Sequence, residues 1–280
     1  MHMHMNIRML SGLMLPMLLL LSGCPGSDGG PGGITEGASV PAIAYVANSG
    51  ANNVSGYAIN TATGALVAVT GSPFPAGTNP QGVAVSSNGS FVYVANSGGN
   101  VSAYTVTSGT GVLTAVASSP FSAGTNPSAV TVSPNGQFVY VANSGGNVSA
   151  YTITAGTGVL AAVAGSPFSA GTNPSAVTVS PNGQFVYVAN SGGNVSAYTI
   201  TAGTGVLTPI AGSPFAAGTT PNGITVEPNG QFVYVGNGGG DVSSYAITAS
   251  GVNAGALTAI TGSPFPAGSI PSGIATPGRP

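Results

Sequence analysis

The 280-residue sequence contains very few charged side chains: two Arg, no Lys and four Asp or Glu. About a quarter of the residues in a typical soluble chain are charged. Binding to nucleic acid depends on clustered Lys and Arg that contact phosphates. The composition therefore excludes a basic surface of that kind, and we predict no nucleic-acid partner.

Cysteine and histidine are also scarce, and tryptophan is absent. Cys24 is the single cysteine, so an intrachain disulfide is impossible. Both histidines, His2 and His4, lie in the first four residues. A Cys/His metal cluster therefore cannot form, and we predict no metal and no cofactor.

The chain instead consists mainly of a repeated segment. The marker YVxN begins at five tyrosines spaced 48, 47, 47 and 47 residues apart: Tyr45, Tyr93, Tyr140, Tyr187 and Tyr234. A fixed period of this length indicates a stacked or radial repeat architecture.

Each repeat contains four short runs rich in Val, Ile, Thr, Tyr and Phe, separated by Gly, Asn, Pro and Ser. In one repeat these runs are Ala129–Val132, Phe138–Ala142, Val148–Ile153 and Val159–Ala164. The pattern predicts four antiparallel strands and essentially no helix. Both faces of FVYVA are apolar, which is typical of a sheet buried between two others. We therefore predict an all-β propeller of four-stranded blades; the alternative is a β-solenoid with two coils per repeat.

The pattern starts and stops in the middle of a repeat. Ala42–Ala47 matches a second strand, whereas Pro271–Ala275 matches a first strand. We expect these two segments to pair and to close a five-bladed propeller. The alternatives are an open arc or a fragment of a larger propeller.

The first residues have the features of an export signal. Arg8 precedes an apolar run, and Leu21-Ser22-Gly23-Cys24 matches a bacterial lipobox, in which the cysteine thiol receives a diacylglycerol. We predict a signal peptide at residues 1–23, a Gly/Pro-rich tether at 24–39 and a propeller domain at 40–280. The alternative is an ordinary cleaved signal. Because Pro25 rather than Asp follows the cysteine, we expect a lipid-anchored protein at the outer membrane or cell surface.

One face of the predicted propeller is the default ligand site, because the second turn of each repeat and the connections between repeats meet there. We predict that it carries Asp241 and a ring of amides, Asn48, Asn96, Asn143, Asn190 and Asn237. The alternative is that these asparagines bond to the backbone of their own turns. Glu227 is expected on the opposite face.

The segments SPNGQFVY, YVANSGGNVSAY and GSPFSAGTNP resemble the YVTN-type β-propeller repeat, within the lactonase-like propellers similar to 6-phosphogluconolactonase. The resemblance covers about residues 40–275 and implies a lactonase-type hydrolase, usually with seven blades. The acidic, basic and histidine residues expected of such an enzyme are missing here or misplaced. We therefore predict no catalytic residue and a binding or scaffold module at the cell envelope, for a glycan or an envelope protein; the alternative is a lactonase-like hydrolase.

Overall fold

A computed structural model of the chain describes residues 42–276. The predicted signal peptide, Cys24, the tether and Arg279 lie outside these residues. The described residues form antiparallel β-sheets and one short 3-10 helix, Ser49–Ala51. The predicted fold class, an all-β propeller-like arrangement of repeated sheets, is confirmed.

The strands group into five units in chain order. They are β1 Ala42–Asn48, β2 Asn53–Ile59, β3 Leu66–Ala68 and β4 Phe74–Pro75 in unit 1; β5 Pro80–Val85, β6 Phe91–Asn96, β7 Asn100–Val106, β8 Leu113–Ala115 and β9 Phe121–Ser122 in unit 2; β10 Pro127–Val132, β11 Phe138–Asn143, β12 Asn147–Ile153, β13 Leu160–Ala162 and β14 Phe168–Ser169 in unit 3; β15 Pro174–Val179, β16 Phe185–Asn190, β17 Asn194–Ile200, β18 Leu207–Pro209 and β19 Phe215–Ala216 in unit 4; and β20 Pro221–Val226, β21 Phe232–Asn237, β22 Asp241–Ile247, β23 Leu257–Ala259 and β24 Phe265–Pro266 in unit 5.

Unit 3 illustrates how the sequence forms each sheet. Strands β10, β11, β12 and β13 pair in chain order, all antiparallel. The turn between β10 and β11 is stabilised by Ser133, whose Oγ accepts a hydrogen bond from Phe138 N at 2.9 Å and donates one to Asn135 Oδ1 at 2.6 Å. Gly136 in this turn has φ +68°, a conformation that glycine adopts without steric cost.

The outer edge of each complete sheet contains two short strands instead of the single fourth strand that the sequence predicts. In unit 3, β13 pairs with the second half of β12 and β14 pairs with its first half. Between them, Ala150 N donates to Ser166 Oγ at 2.9 Å, and Ala150 O accepts from Val163 N at 2.9 Å. The serine of the GSPF motif therefore replaces a strand partner where the outer strand is interrupted.

The hydrophobic core lies between successive units. Strand β11 is fully buried, as are β6 and β16. Phe138 and Tyr140 of unit 3 pack with Tyr198 and Leu207 of unit 4 in one cluster. Because apolar residues cover both faces of the second strand, each inner unit contributes to two cores, which explains why its pattern does not alternate.

Two tyrosine hydroxyls also connect each pair of neighbouring units. Tyr140 OH donates to Gly205 O of unit 4 at 3.1 Å, and Tyr151 OH donates to Ser122 O of unit 2 at 2.5 Å. Both bonds recur at all four junctions. Each buried tyrosine hydroxyl therefore has a hydrogen-bond acceptor. Because the same two bonds form at each junction, they hold adjacent sheets at the same spacing.

The predicted closure of the ring is wrong within residues 42–276. Strand β1 pairs with β2 alone, and residues 271–276 form no strand. Gly64 of unit 1 corresponds in the repeat to Gly205, which lies against Phe138, yet a Cβ at Gly64 would meet nothing within 4 Å. The five units therefore form an open arc. The prediction of closure depended on matching the first and last segments to complementary strands. That match does not specify the angle between successive sheets, which determines whether the two segments meet.

We expect the stability of the protein to decrease at alkaline pH. Burial raises the pKa of Tyr45 to about 12 and raises the pKa of Tyr93, Tyr140 and Tyr187 further. Unfolded tyrosine ionises near pH ~10, so above that pH the unfolded state holds fewer protons and stability falls as pH rises.

Residues 42–276 contain no His, Cys, Lys or Arg. The melting temperature should therefore remain nearly constant from about pH 6 to 9 and then decrease. Thermal unfolding followed by circular dichroism checks this profile. A melting temperature unchanged up to about pH 11 would contradict it.

Candidate functional site

The candidate site lies where the second turn of a unit meets the connection to the next unit. Between units 3 and 4 these segments line an open groove of ≈ 440 Å³, formed by Ser144, Gly145, Gly146, Ala170, Gly171, Thr172 and Asn173. The two segments are joined by a hydrogen bond of 2.9 Å from Ala170 N to Gly146 O. The groove is lined by backbone, hydroxyl and amide groups and carries no charge.

The predicted amide ring lies beneath this surface. Asn143 is fully buried, and its Nδ2 donates to Asn147 Oδ1 at 2.8 Å and to Ser149 Oγ at 2.9 Å. Ser149 Oγ also accepts from Gly124 N at 3.0 Å, which ties the network to the preceding connection. Asn96, Asn190 and Asn237 are equally buried and make the corresponding bonds.

One oxygen in each of these networks lacks a hydrogen-bond partner. Oδ1 is buried and unbonded in Asn96, Asn143, Asn190 and Asn237. An unsatisfied buried acceptor costs about 1–3 kcal/mol. Binding by this ring stays a prediction, and a ligand would reach these amides only after the connection above them moves. The alternative prediction is that these asparagines bond to the backbone of their own turns. Their Nδ2 groups instead donate to side chains, as Asn143 does to Asn147 and Ser149.

The amide networks of units 1 and 5 differ from those of units 2 to 4. Asn48 in unit 1 is only partly buried, and its Nδ2 donates to Asn53 Oδ1 and Ser55 Oγ at 2.7 and 2.8 Å. In unit 5 the position of Asn147 is occupied by Asp241, whose Oδ1 accepts from Asn237 Nδ2 at 2.6 Å. Asp241 is half-buried and is the only carboxylate on this face within residues 42–276.

Glu227 lies in the turn between β20 and β21, at the other end of the strands, as predicted. Its Oε1 accepts from Asn229 Nδ2 at 2.9 Å, so it takes part in turn structure. Among residues 42–276, no three His, Cys, Asp or Glu side chains lie close enough together to hold a metal ion. Over the same range, no helix is long and apolar enough to cross a bilayer.

The structure assigns the exposed polar positions of the groove to residues that the sequence analysis did not name. Thr172 and Asn173 are exposed, and the same pair occurs at Thr125 and Asn126. Asn173 has φ +56°, which holds its backbone in a left-handed turn. The signal available in the sequence was the GTN of the first three connections, at residues 77–79, 124–126 and 171–173, since glycine allows close approach and asparagine favours the turn.

Comparison with known proteins gives a family for the chain but no curated relative. The matching family is the lactonase family described as a seven-bladed β-propeller, and it matches residues 39–124, 116–218 and 144–266. A search of curated proteins found no match.

Many solved structures share the fold, and three of them show the likeness to this chain. They are a Bacteroides fragilis protein described as a 6-phosphogluconolactonase (18% identity, 82% of this chain and 68% of that one, TM-score 0.68), a protein of unknown function from Desulfotomaculum acetoxidans (21%, 81% and 71%, 0.61) and a periplasmic gluconolactonase from Pseudomonas aeruginosa (19%, 78% and 66%, 0.64).

The aligned part spans 66–71% of the length of those three chains. The family match spans most of the residues that form the five units. The chain belongs to the lactonase family of β-propellers.

Proposed function

We propose that this propeller acts on sugar lactones, by hydrolysis at the face that carries Asp241. The family match and the gluconolactonase among the similar structures favour this function over the scaffold role predicted from composition. The observation that supports the site is the single carboxylate among otherwise neutral side chains at that face.

Hydrolysis of a lactone needs a base that takes a proton from water and donors that stabilise the developing oxyanion. Asn237 Nδ2 fixes Asp241 Oδ1 at 2.6 Å, which leaves Oδ2 as the proton acceptor. Gly218 lies directly against Asp241, because an added Cβ there would be 2.5 Å from Oδ1. The next residues in the same connection, Thr219 and Thr220, are exposed, and we propose their hydroxyls as the donors.

The substitution Asp241→Asn tests this assignment with little risk to the fold, because Asn100, Asn147 and Asn194 occupy the same position in units 2 to 4. We expect hydrolysis of glucono-1,5-lactone to decrease about 10²-fold or more, the usual effect of losing a general base. Glu227→Gln is the matched control and should retain the rate. A wild-type rate equal to buffer, or an Asp241→Asn rate equal to wild type, would overturn the proposal.

Binding without hydrolysis is the second candidate, and the lack of any His, Lys or Arg in residues 42–276 favours it. The exposed threonine and asparagine hydroxyls and amides suit a neutral polyhydroxy ligand such as a glycan. Thr172→Ala with Asn173→Gly removes both groups while glycine keeps the φ of +56°. Loss of glycan retention in this variant, with retention unchanged in Asp241→Asn, would support binding alone.

We also propose that Cys24 carries a lipid that anchors the protein to the bacterial membrane at the cell envelope. The lipobox Leu21-Ser22-Gly23-Cys24 supports this proposal. Cys24→Ser should abolish incorporation of a labelled fatty acid and move the protein from the membrane fraction to the soluble fraction. Labelling that persists in the variant would exclude this anchor.

A further inference from the structure

The two ends of the arc expose residues that are buried at every internal junction. The leading face of unit 1, which points away from unit 2, contains Val46, Tyr57 and Leu66. Leu66 is 56% exposed, whereas its equivalents Leu113, Leu160, Leu207 and Leu257 are 3–6% exposed. Val46 is 47% exposed, whereas the equivalent valines of units 2 to 5 are fully buried. An internal contact surface is therefore uncovered at this end.

The trailing face of unit 5, which points away from unit 4, contains Phe232, Tyr234 and Phe265. Phe265 is 42% exposed, and Phe232 and Tyr234 are partly exposed, whereas Phe138 and Tyr140 are at most 3% exposed. Within residues 42–276, the hydroxyls of Tyr57 and Tyr234 lack the bonds that their equivalents make to a neighbouring unit. The two faces thus present the two halves of one junction.

Residues 271–276 lie on the trailing face where the first strand of a following unit would lie. A Cβ on Gly223 would be 3.0 Å from Gly273 Cα, just as a Cβ on Gly82 would be 3.0 Å from Ala129 Cα in strand β10. Asn222 Nδ2 donates to Pro271 O at 3.4 Å, in the place of the bond from Ser175 Oγ to Pro221 O. This segment has the position of a first strand but no second strand beside it.

Strand β1 is a second strand that lacks a first strand beside it within residues 42–276. Every other second strand pairs with a first strand and a third strand, whereas β1 pairs with β2 alone among the strands of residues 42–276. Its free edge leaves backbone N–H and C=O groups available to another strand. Among the strands that residues 42–276 form, unit 1 has four and each of the other four units has five.

We propose that a second copy of this chain covers these faces, head to tail. Residues 271–275 of one copy pair with β1 of the other, and the leading face of the second copy packs on the trailing face of the first. The register follows from β10 and β11, where Pro127 is opposite Asn143 and Val130 is opposite Val141. It places Pro271 opposite Asn48 and Ile274 opposite Val46, which completes a five-stranded sheet.

The internal junctions identify the occupant. The same contact occurs four times within the chain, between residues of the same types: Phe138 and Tyr140 on one side, Tyr198 and Leu207 on the other. Phe232 and Tyr234 provide the first pair at one end, and Tyr57 and Leu66 provide the second at the other. Neither set includes a charged residue. Because the two faces differ, the contact is heterologous, and association continues beyond two copies unless it closes into a ring.

Disulfide trapping between two chains tests the register. In the full-length Cys24→Ser background, one chain carries Val46→Cys and the other carries Ile274→Cys. Mixing and mild oxidation should yield a disulfide-linked heterodimer, because Cβ atoms opposite each other in an antiparallel pair lie within bonding reach. The control pair, Val252→Cys with Ile274→Cys, should yield far less, since Val252 is fully exposed and lies in the loop between β22 and β23.

Two outcomes would overturn the proposal. One is a heterodimer yield no higher than that of the control pair. The other comes from a single chain that carries both Val46→Cys and Ile274→Cys. We expect that chain to form disulfide-linked multimers, whereas an intrachain disulfide in a monomer would establish closure of the ring within one copy.

A glycine substitution tests the packing without cysteine chemistry. Gly64 meets nothing within the chain, but at the internal junction the equivalent Gly205 would place a Cβ 2.6 Å from Phe138 Cε1. Gly64→Ala should therefore weaken association at least tenfold in sedimentation velocity. Gly203→Ala, with φ +77° and nothing within 4 Å, is the matched control for backbone strain and should associate like wild type. Equal association of the two variants would overturn the proposal.

Discussion

Replacing Gly205 with alanine should destabilise the protein by about 1–3 kcal/mol more than replacing Gly203 in the same hairpin. Both glycines have positive φ, +74° and +77°, so alanine costs a similar backbone strain at each position. They differ in surroundings. A Cβ on Gly205 would lie 2.6 Å from Phe138 Cε1, whereas a Cβ on Gly203 would meet nothing within 4 Å.

The Phe138 ring cannot move away easily, because it is 3% exposed and packed in the core between units 3 and 4. The carbonyl of Gly205 also accepts the Tyr140 hydroxyl at 3.1 Å, so a shift of the hairpin would weaken that bond. Urea unfolding of both variants, followed by circular dichroism, measures the difference. Equal midpoints for Gly205→Ala and Gly203→Ala would show that this hairpin does not contribute to the junction.

The junction between units provides stability that the surface cannot. Exposed ion pairs contribute little in most proteins and are hardly possible here, since residues 42–276 carry only Glu227 and Asp241 as charged groups. Buried valines and tyrosines on both faces of each second strand, together with two phenol hydrogen bonds per junction, provide the stabilising contacts. Stability should therefore depend on how many junctions are formed.

Much of this arrangement could be predicted from the sequence because the same local pattern of strands and turns occurs five times. Asn-Gly and Gly-Gly fix the turns, and FVYVA fixes the buried second strand. The strand bounds around Tyr140 and the side of the sheet that carries Glu227 followed from these local rules. The family resemblance depended on the same segments and is confirmed.

The rest depends on geometry that local rules do not contain. Whether residues 271–275 reach β1 depends on the angle between successive units, which accumulates over the whole arc. The orientation of Asn143 depends on Gly124 of the preceding connection, 19 positions earlier in the sequence, which approaches so closely that the amide is enclosed. The interruption between β13 and β14 depends on one serine hydroxyl, which composition and periodicity do not reveal.

The second large effect is expected at Gly171, in the connection between units 3 and 4. A Cβ there would lie 2.5 Å from Asn194 Oδ1 and 2.6 Å from Asn190 Nδ2, inside the buried amide network. Gly171→Ala must separate this pair or shift the connection, and Asn190 is fully buried with no room to turn. We expect a loss of about 1–3 kcal/mol in the free energy of unfolding.

Gly268 is the matched control because it occupies the same position after unit 5, where a Cβ would meet nothing within 4 Å. Gly268→Ala should therefore change the free energy of unfolding by less than about 0.5 kcal/mol at low protein concentration. In a ring closed within one chain, Gly268 would lie against Asn48 and Asn53, as Gly171 lies against Asn190 and Asn194. Equal destabilisation by the two substitutions would therefore contradict the open arc and, with it, the exposed faces on which association between copies depends.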